Sequence, residues 1–247
     1  MKTLIVIPAR YASTRFSGKP LADIRGKSMI QRVYEQSCKA NLASQVIVAT
    51  DNERIFNHVK SFEGEVVMTS NQHKTGTGRC AEVAEKSNAD LIINVQGDEP
   101  FIAPEQIDEL IKFLTQSLRY NIGTLAKLIE SSDELCNPNT VKVVSNKLRE
   151  AIYFSRHPIP FSRDDELENW LIKHKYYKHI GMYGYRRKTL LDIARLSPTP
   201  LEQAENLEQL RWMENGIRIG ITTTTYNTIS IDTPQDLTAA LHLFDSM

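Results

Sequence analysis

Arg10, Arg15 and Lys19 follow directly on the apolar run LIVIP near the start of the chain, within LIVIPARYASTRFSGKP. Proline lacks the donor N–H that a continuing ladder needs, so the strand is expected to stop at Pro8 and turn into a cationic loop. In α/β proteins, polyphosphate sits outside the carboxyl ends of strands, facing loop amides and cationic side chains. Two common phosphate motifs are excluded by spacing: no G-x-G-x-x-G follows the strand, and Gly18-Lys19 runs into Pro20 rather than completing a P-loop. Asp98, in VQGDEP, closes the most apolar strand, where Gly97 permits a close turn. A carboxylate beside polyphosphate makes sense with a divalent cation between them, and such a cation takes one or two protein carboxylates. Asp232 in SIDTPQD is the second candidate, because Thr233 is the better N-cap, with Pro234 at the first helical position and Asp236 as box partner.

Further along, HKTGTGRCAEV opens a helix with glycines and threonines, and the fork of Arg79 suits a carboxylate. His179, Tyr183 and Tyr185 alternate along a strand and share one face. Glu208 and Gln209 lie off the apolar stripe of Ala204, Leu207 and Leu210. Such a set suits a polyhydroxylated ligand.

The elements that must position these residues alternate. Strand-like runs at Leu4–Ile7, Val46–Ala49, Val66–Thr69 and Leu91–Val95 are separated by helix-period stretches at Ser28–Ala40, Glu53–Ser61, Gly78–Ser87 and Pro104–Leu118. That order predicts an α/β fold with a mainly parallel, mixed sheet and helices on both faces. LIINV reads as a central strand buried on both sides. Beyond it, strands are expected at Gly123–Leu128, Val141–Ser145, Ala151–Ser155, Ile180–Arg186 and Arg218–Thr223, with VKVVS and EAIYFS antiparallel across an Asn146-Lys147 turn. Helices are expected at Thr189–Leu196, from Glu202 to Asn215 ending at Gly216, and from Pro234. The polar, aromatic stretch 156–178 reads as a projecting arm or subunit contact on a single domain, 1–247.

Thirty Lys and Arg balance thirty Asp and Glu in 247 residues, so no global field draws the chain to nucleic acid, and an anion site must be built locally. Three dispersed cysteines without C-x-x-C spacing argue against a disulfide framework or structural zinc, and point to a reducing compartment. The first apolar run is too short for a signal-peptide core and no run has the length of a membrane span, so a cytoplasmic protein without membrane insertion is expected.

The ordered segments IPARYASTRFSGKPLADIRGKSMI, VIVATD, GTGR, NVQGDEPFI, NPNTVKVV, AIYFSR, HIGMYGYR, PLEQAENLEQLR and IDTPQDL resemble the CMP-Kdo synthetases, the 3-deoxy-manno-octulosonate cytidylyltransferases, nearly end to end. The run A-R-Y-x-S-T-R-x-x-G-K-P separates them from sialic-acid cytidylyltransferases. The resemblance implies a nucleotide-diphospho-sugar transferase (Rossmann-like) fold, a homodimer, and a cytoplasmic step of lipopolysaccharide assembly. It implies that Arg10, Arg15 and Lys19 hold the CTP phosphates, and that cytosine is read near Ala9, Arg10 and the loop of Thr75, Gly76 and Thr77, largely through backbone groups. Asp98 and Asp232 would hold Mg2+, with Arg15, Lys19 and Asp98 catalytic. Arg79, Gln96, His179, Tyr183, Glu208 and Gln209 would contact the sugar acid Kdo. The chain departs from the family pattern at Gly78, where relatives usually carry an acidic residue, and at Phe161-Ser162, where Trp-Asp is common.

Three rival readings are weighed against this one. A noncatalytic nucleotide-binding module would have lost Lys19 or a metal carboxylate, and all three are present. A dinucleotide oxidoreductase using Asp51 would need the missing glycine fingerprint. An 8-amino analogue of Kdo is the alternative acceptor within the same reaction.

Overall fold

The fold was obtained as a computed structural model, which describes residues 1–12 and 16–245, the last four as helix backbone only. The strands are β1 (Thr3–Ala9), β2 (Asp23–Ile24), β3 (Lys27–Ser28), β4 (Gln45–Thr50), β5 (Val66–Met68), β6 (Leu91–Asn94), β7 (Ile122–Leu128), β8 (Lys142–Ser145), β9 (Ala151–Ser155), β10 (Tyr177–Arg186) and β11 (Ile219–Thr223). The helices are α1 (Met29–Ser37), α2 (Glu53–Ser61), α3 (Gly76–Glu85), α4 (Pro104–Gln116), α5 (Ser132–Cys136), α6 (Leu167–Lys173), α7 (Arg187–Ile193), α8 (Pro200–Glu205), α9 (Glu208–Glu214) and α10 (Pro234–Asp245).

The main sheet runs β11-β7-β10-β6-β1-β4-β5, with β8 and β9 attached beside β10. β5, β4, β1 and β6 are parallel, and β10 is antiparallel to both β6 and β7. Strand alternation sorts the apolar residues into two cores. Leu4, Val6 and Ile92 face α3, α7 and α9, whereas Ile5, Ile7, Leu91 and Ile93 face α1, α2 and α4. A central strand buried on both faces therefore has to read as continuously apolar, as LIIN does.

Three departures from the expected elements have local causes. β1 runs through Pro8 to Ala9, because pairing with β6 has ended at Val6 while β4 still pairs alongside. Pro8 shares its direction with Val6, whose carbonyl accepts from Val95 N–H, so the missing donor points where the ladder has already stopped. The helix expected over 202–215 is two helices, since Asn206 is left-handed at φ 52° and caps α8. The 156–178 stretch contains α6 and a small core of its own, in which Trp170 and Tyr176 stack at 5.9 Å and pack with Ile129 and Leu135. The β8–β9 hairpin and the Gly216 stop are as expected.

Candidate active site

The parallel strands β1 and β6 end side by side, and their loops meet over a cavity of about 250 Å³. Pro8, Ala9, Arg10 and Lys19 line it from the first loop, Gln96, Gly97 and Asp98 from the second, His73 to Gly76 and Arg79 from the start of α3, and Asp232 from the segment before α10. Gly97 is needed for this meeting: a Cβ there would lie 2.8 Å from the Pro8 carbonyl oxygen. The cationic loop closes on itself through Gly18 N–H to Tyr11 C=O, 3.0 Å, with Gly18 left-handed at φ 72°. Lys19 then begins a short 3-10 turn, Lys19–Leu21, that aims its side chain inward.

Lys19 Nζ lies 2.7 Å from Asp98 Oδ2 and 3.1 Å from Asp232 Oδ1. The two carboxylates, far apart in the chain, are brought together by the backbone: Ile231 N–H donates to Asp98 C=O at 2.9 Å. Asp236 Oδ2 accepts from the amides of Asp232 and Thr233, while Thr233 Oγ1 accepts from Asp236 N–H. This is the capping box expected from the sequence, and it leaves the Asp232 side chain facing the cavity. Two carboxylates converging on one cationic atom are a donor set that fits a divalent cation shared with phosphate oxygens. Among the described residues no cluster of three or more metal-ligating side chains occurs, so phosphate would complete the shell. Arg15 lies outside the described residues.

Beside Asp98, the Glu99 carboxyl is pushed up to about 8 by burial and by the Asp98 charge, and its Oε2 has no hydrogen-bond partner among the described residues.

Arg79, expected to meet a sugar carboxylate, is buried and committed inside the protein. Its Nη2 lies 2.7 Å from Asp51 Oδ2 and its Nη1 bonds the Thr69 hydroxyl. Asp51, weighed as a ribose-binding acid, is thus the partner that holds this guanidinium at the cavity wall.

Because β10 is reversed, its first residues reach the same edge of the sheet as the carboxyl ends of β6 and β7. A bulge inserts Gly181 and Met182 between the pairs Ile180↔Leu125 and Tyr183↔Thr124. Two extra residues preserve the alternation, so His179, Tyr183 and Tyr185 still share a face, with ring centroids 5.2 and 5.9 Å apart. The bulge also frees carbonyls. Gln96 Nε2 donates to Gly181 C=O at 2.9 Å, and Thr124 Oγ1 donates to Met182 C=O at 2.7 Å. With its single proton used there, Thr124 accepts from His179 Nε2–H at 2.9 Å, which assigns the tautomer and leaves Nδ1 as an acceptor. Burial lowers the His179 pKa to about 3, so the ring stays neutral.

Glu208 Oε2 accepts from Thr77 Oγ1 at 2.6 Å, and burial raises its pKa against the lowering effect of that bond. Tyr183 and Gln209 are buried nearby, and the Tyr183 hydroxyl has no hydrogen-bond partner among the described residues. The structure thus gathers Ala9, Arg10, Lys19, Thr75, Gly76, Arg79, Gln96, Asp98 and Asp232 around one cavity. His179, Tyr183, Glu208 and Gln209 lie outside its lining, tied to it through Gln96 and Thr77. Sequence reasoning missed His73 and Lys74 on the wall and Thr124 behind His179. A lysine next to the Thr75 N-cap was the available signal for Lys74; nothing local marks Thr124.

Residues 4–219 match the cytidylyltransferase family model. A 3-deoxy-manno-octulosonate cytidylyltransferase of Parabacteroides distasonis is 53% identical over 247 residues, covering 98% of this chain and 97% of the relative. The chain belongs to the 3-deoxy-manno-octulosonate cytidylyltransferase family. Its relative of the same description in Geobacter metallireducens is 52% identical over 242 residues, 96% of this chain and 95% of the other. The solved structure of CMP:2-keto-3-deoxy-manno-octonic acid synthetase complexed with CTP superposes with a TM-score of 0.93 at 43% identity, over 100% of this chain and 99% of that one. As a cytidylyltransferase the chain is a nucleotidyltransferase enzyme, with the mixed, mainly parallel α/β fold that its sequence implies.

Proposed function

We propose that this chain transfers CMP from CTP to the anomeric hydroxyl of 3-deoxy-manno-octulosonate, giving CMP-Kdo and pyrophosphate. The observation that carries the reading is the full-length match to a synthetase complexed with CTP, in a chain that keeps Lys19, Asp98 and Asp232 converging at one point. The sugar hydroxyl attacks the α-phosphorus in line, its bond to phosphorus forming as the bond to pyrophosphate breaks, without a covalent enzyme intermediate. Arg10, Arg15 and Lys19 hold the triphosphate and offset the charge of the departing pyrophosphate. Asp98 and Asp232 would hold Mg2+, which would supply charge neutralisation at the phosphates and a lowered hydroxyl pKa.

On the other side, Gln96, His179, Tyr183, Glu208 and Gln209 select the sugar acid, with His179 Nδ1 and Glu208 as acceptors for its hydroxyls. Arg79, paired with Asp51 at the cavity wall, is the group this reading sets beside the sugar carboxylate. The same reading carries a cytoplasmic homodimer serving lipopolysaccharide assembly. Unpaired Cys38, Cys80 and Cys136 support a reducing compartment, and the exposed apolar side chains Phe161 and Ile172 support a subunit contact at the arm. Among the described residues no helix is long and apolar enough to cross a membrane.

Pyrophosphate release with CTP and Mg2+, offered Kdo, its 8-amino analogue or sialic acid, with ATP and UTP as controls, tests the assignment. Release with CTP and Kdo is expected; release with sialic acid but not Kdo overturns it.

A further inference from the structure

Thr77 is buried at 3% exposure in the first turn of α3, the helix whose start lines the nucleotide cavity. As the second residue of that helix, Thr77 has no preceding helical turn whose carbonyl could take its hydroxyl proton. Here the hydroxyl reaches Glu208 Oε2, 131 positions away in sequence, at 2.6 Å. Of the two hydroxyls that act on Glu208, those of Thr77 and Thr75, that of Thr77 acts the more strongly. Glu208 opens α9, whose start is fixed by the left-handed Asn206, and it packs beside the aromatic wall of Tyr183, Tyr185 and Trp212. Trp212 stands edge-on to both tyrosine rings at 5.0 and 5.7 Å. The nearest arginine on the same helix, Arg211, is spent on Glu202.

Three buried polar atoms in this wall, Tyr183 Oη, Tyr185 Oη and Trp212 Nε1, lack a hydrogen bond of normal geometry among the described residues. Those groups therefore do not hold the carboxylate; the hydroxyls of Thr77 and Thr75, both at the start of α3, do, with Thr75 itself on the cavity wall. Gly76, the residue before Thr77, packs so closely on Pro8 that an added Cβ would lie 3.1 Å from its Cγ. The nucleotide wall and the Glu208 carboxylate are thus joined by two adjacent residues.

We infer that Thr77 is a positioning residue for the sugar acid: its hydroxyl fixes the rotamer of Glu208 so that the second carboxylate oxygen faces a sugar hydroxyl, and ties this half of the site to the nucleotide wall. The inference rests on the cytidylyltransferase reading above, within which Glu208 meets the sugar.

Steady-state kinetics of the full chain, varying CTP and Kdo separately, tests it with Thr77→Val and Thr77→Ser. Valine keeps the shape and removes the donor, and serine keeps the donor. Thr77→Val is expected to raise the KM for Kdo about tenfold or more, the worth of a hydrogen bond to a charged group, while the KM for CTP stays within about twofold. Thr77→Ser is expected to restore most of the loss. An unchanged KM for Kdo, an equal rise in both KM values, or failure of serine to rescue overturns the role of Thr77. If Thr77→Val does not fold, as read by thermal unfolding, Thr77→Ala takes its place with the same expectations. Absence of turnover by the parent protein with CTP and Kdo overturns the parent reading, and with it the sugar role given to Thr77; parent turnover with an unchanged variant KM overturns the Thr77 role alone.

Discussion

Lys19 in contact with both Asp98 and Asp232 is an arrangement that is hard to explain as surface decoration, since exposed ion pairs contribute at most about 1 kcal/mol and three separate loops are shaped to make this one. Replacing Asp98 by Asn removes the charge with little change of shape. Turnover with Mg2+ is expected to fall by orders of magnitude while the thermal unfolding curve stays close to that of the parent. Near-normal turnover would refute the metal assignment. His179 gives a prediction of a different kind. Its pKa is about 3 in the folded chain, below the ordinary value of about 6.5, so the unfolded chain binds more protons between those pH values. Stability therefore falls as pH falls through 6.5. His179→Gln, which keeps a donor for Thr124, removes that contribution, and its unfolding free energy should lose up to about 2 kcal/mol less than the parent's between pH 7 and 5. Equal losses would contradict the burial argument.

The side chains of the candidate site owe their positions to strand ends and caps. The capping box before α10 satisfies the amides of Asp232 and Thr233 through Asp236. Asp236→Ala should cost about 1 kcal/mol of stability, read by denaturant unfolding, and should lower turnover more than that loss explains, because Asp232 loses its anchor. This box was legible from TPQD alone, as was the strand-loop-cation pattern of the first segment, because each depends on residues adjacent in sequence. The β10 bulge was not. Nothing in HIGMYGYR reports that two residues loop out opposite Thr124, since a two-residue insertion leaves the alternation of side chains intact. The split of the 202–215 helix was also hidden: Asn206 breaks it by its backbone conformation, while the apolar spacing across it still reads as helical. Arg79 was found by its neighbours GTG, but its burial against Asp51 and Thr69 could not be read without the strand order that places β4 beside β1.

For the molecule as a whole, the balance of thirty cations and thirty anions leaves the field to local construction, and the sheet does the constructing. The parallel half brings the cationic loop and Asp98 to one edge; the reversed strand β10 and helix α9 bring His179, Tyr183, Glu208 and Gln209 to the border of the same cavity. The two groups of residues meet through Gln96–Gly181 and Thr77–Glu208. The proposed transfer of CMP from CTP to Kdo is measured most directly by a 31P NMR time course of the purified protein with CTP, Mg2+ and Kdo. The account predicts that the three triphosphate resonances give way to one phosphodiester signal and pyrophosphate in equal molar amounts. Unchanged CTP, or CDP with orthophosphate in place of a phosphodiester, would contradict it.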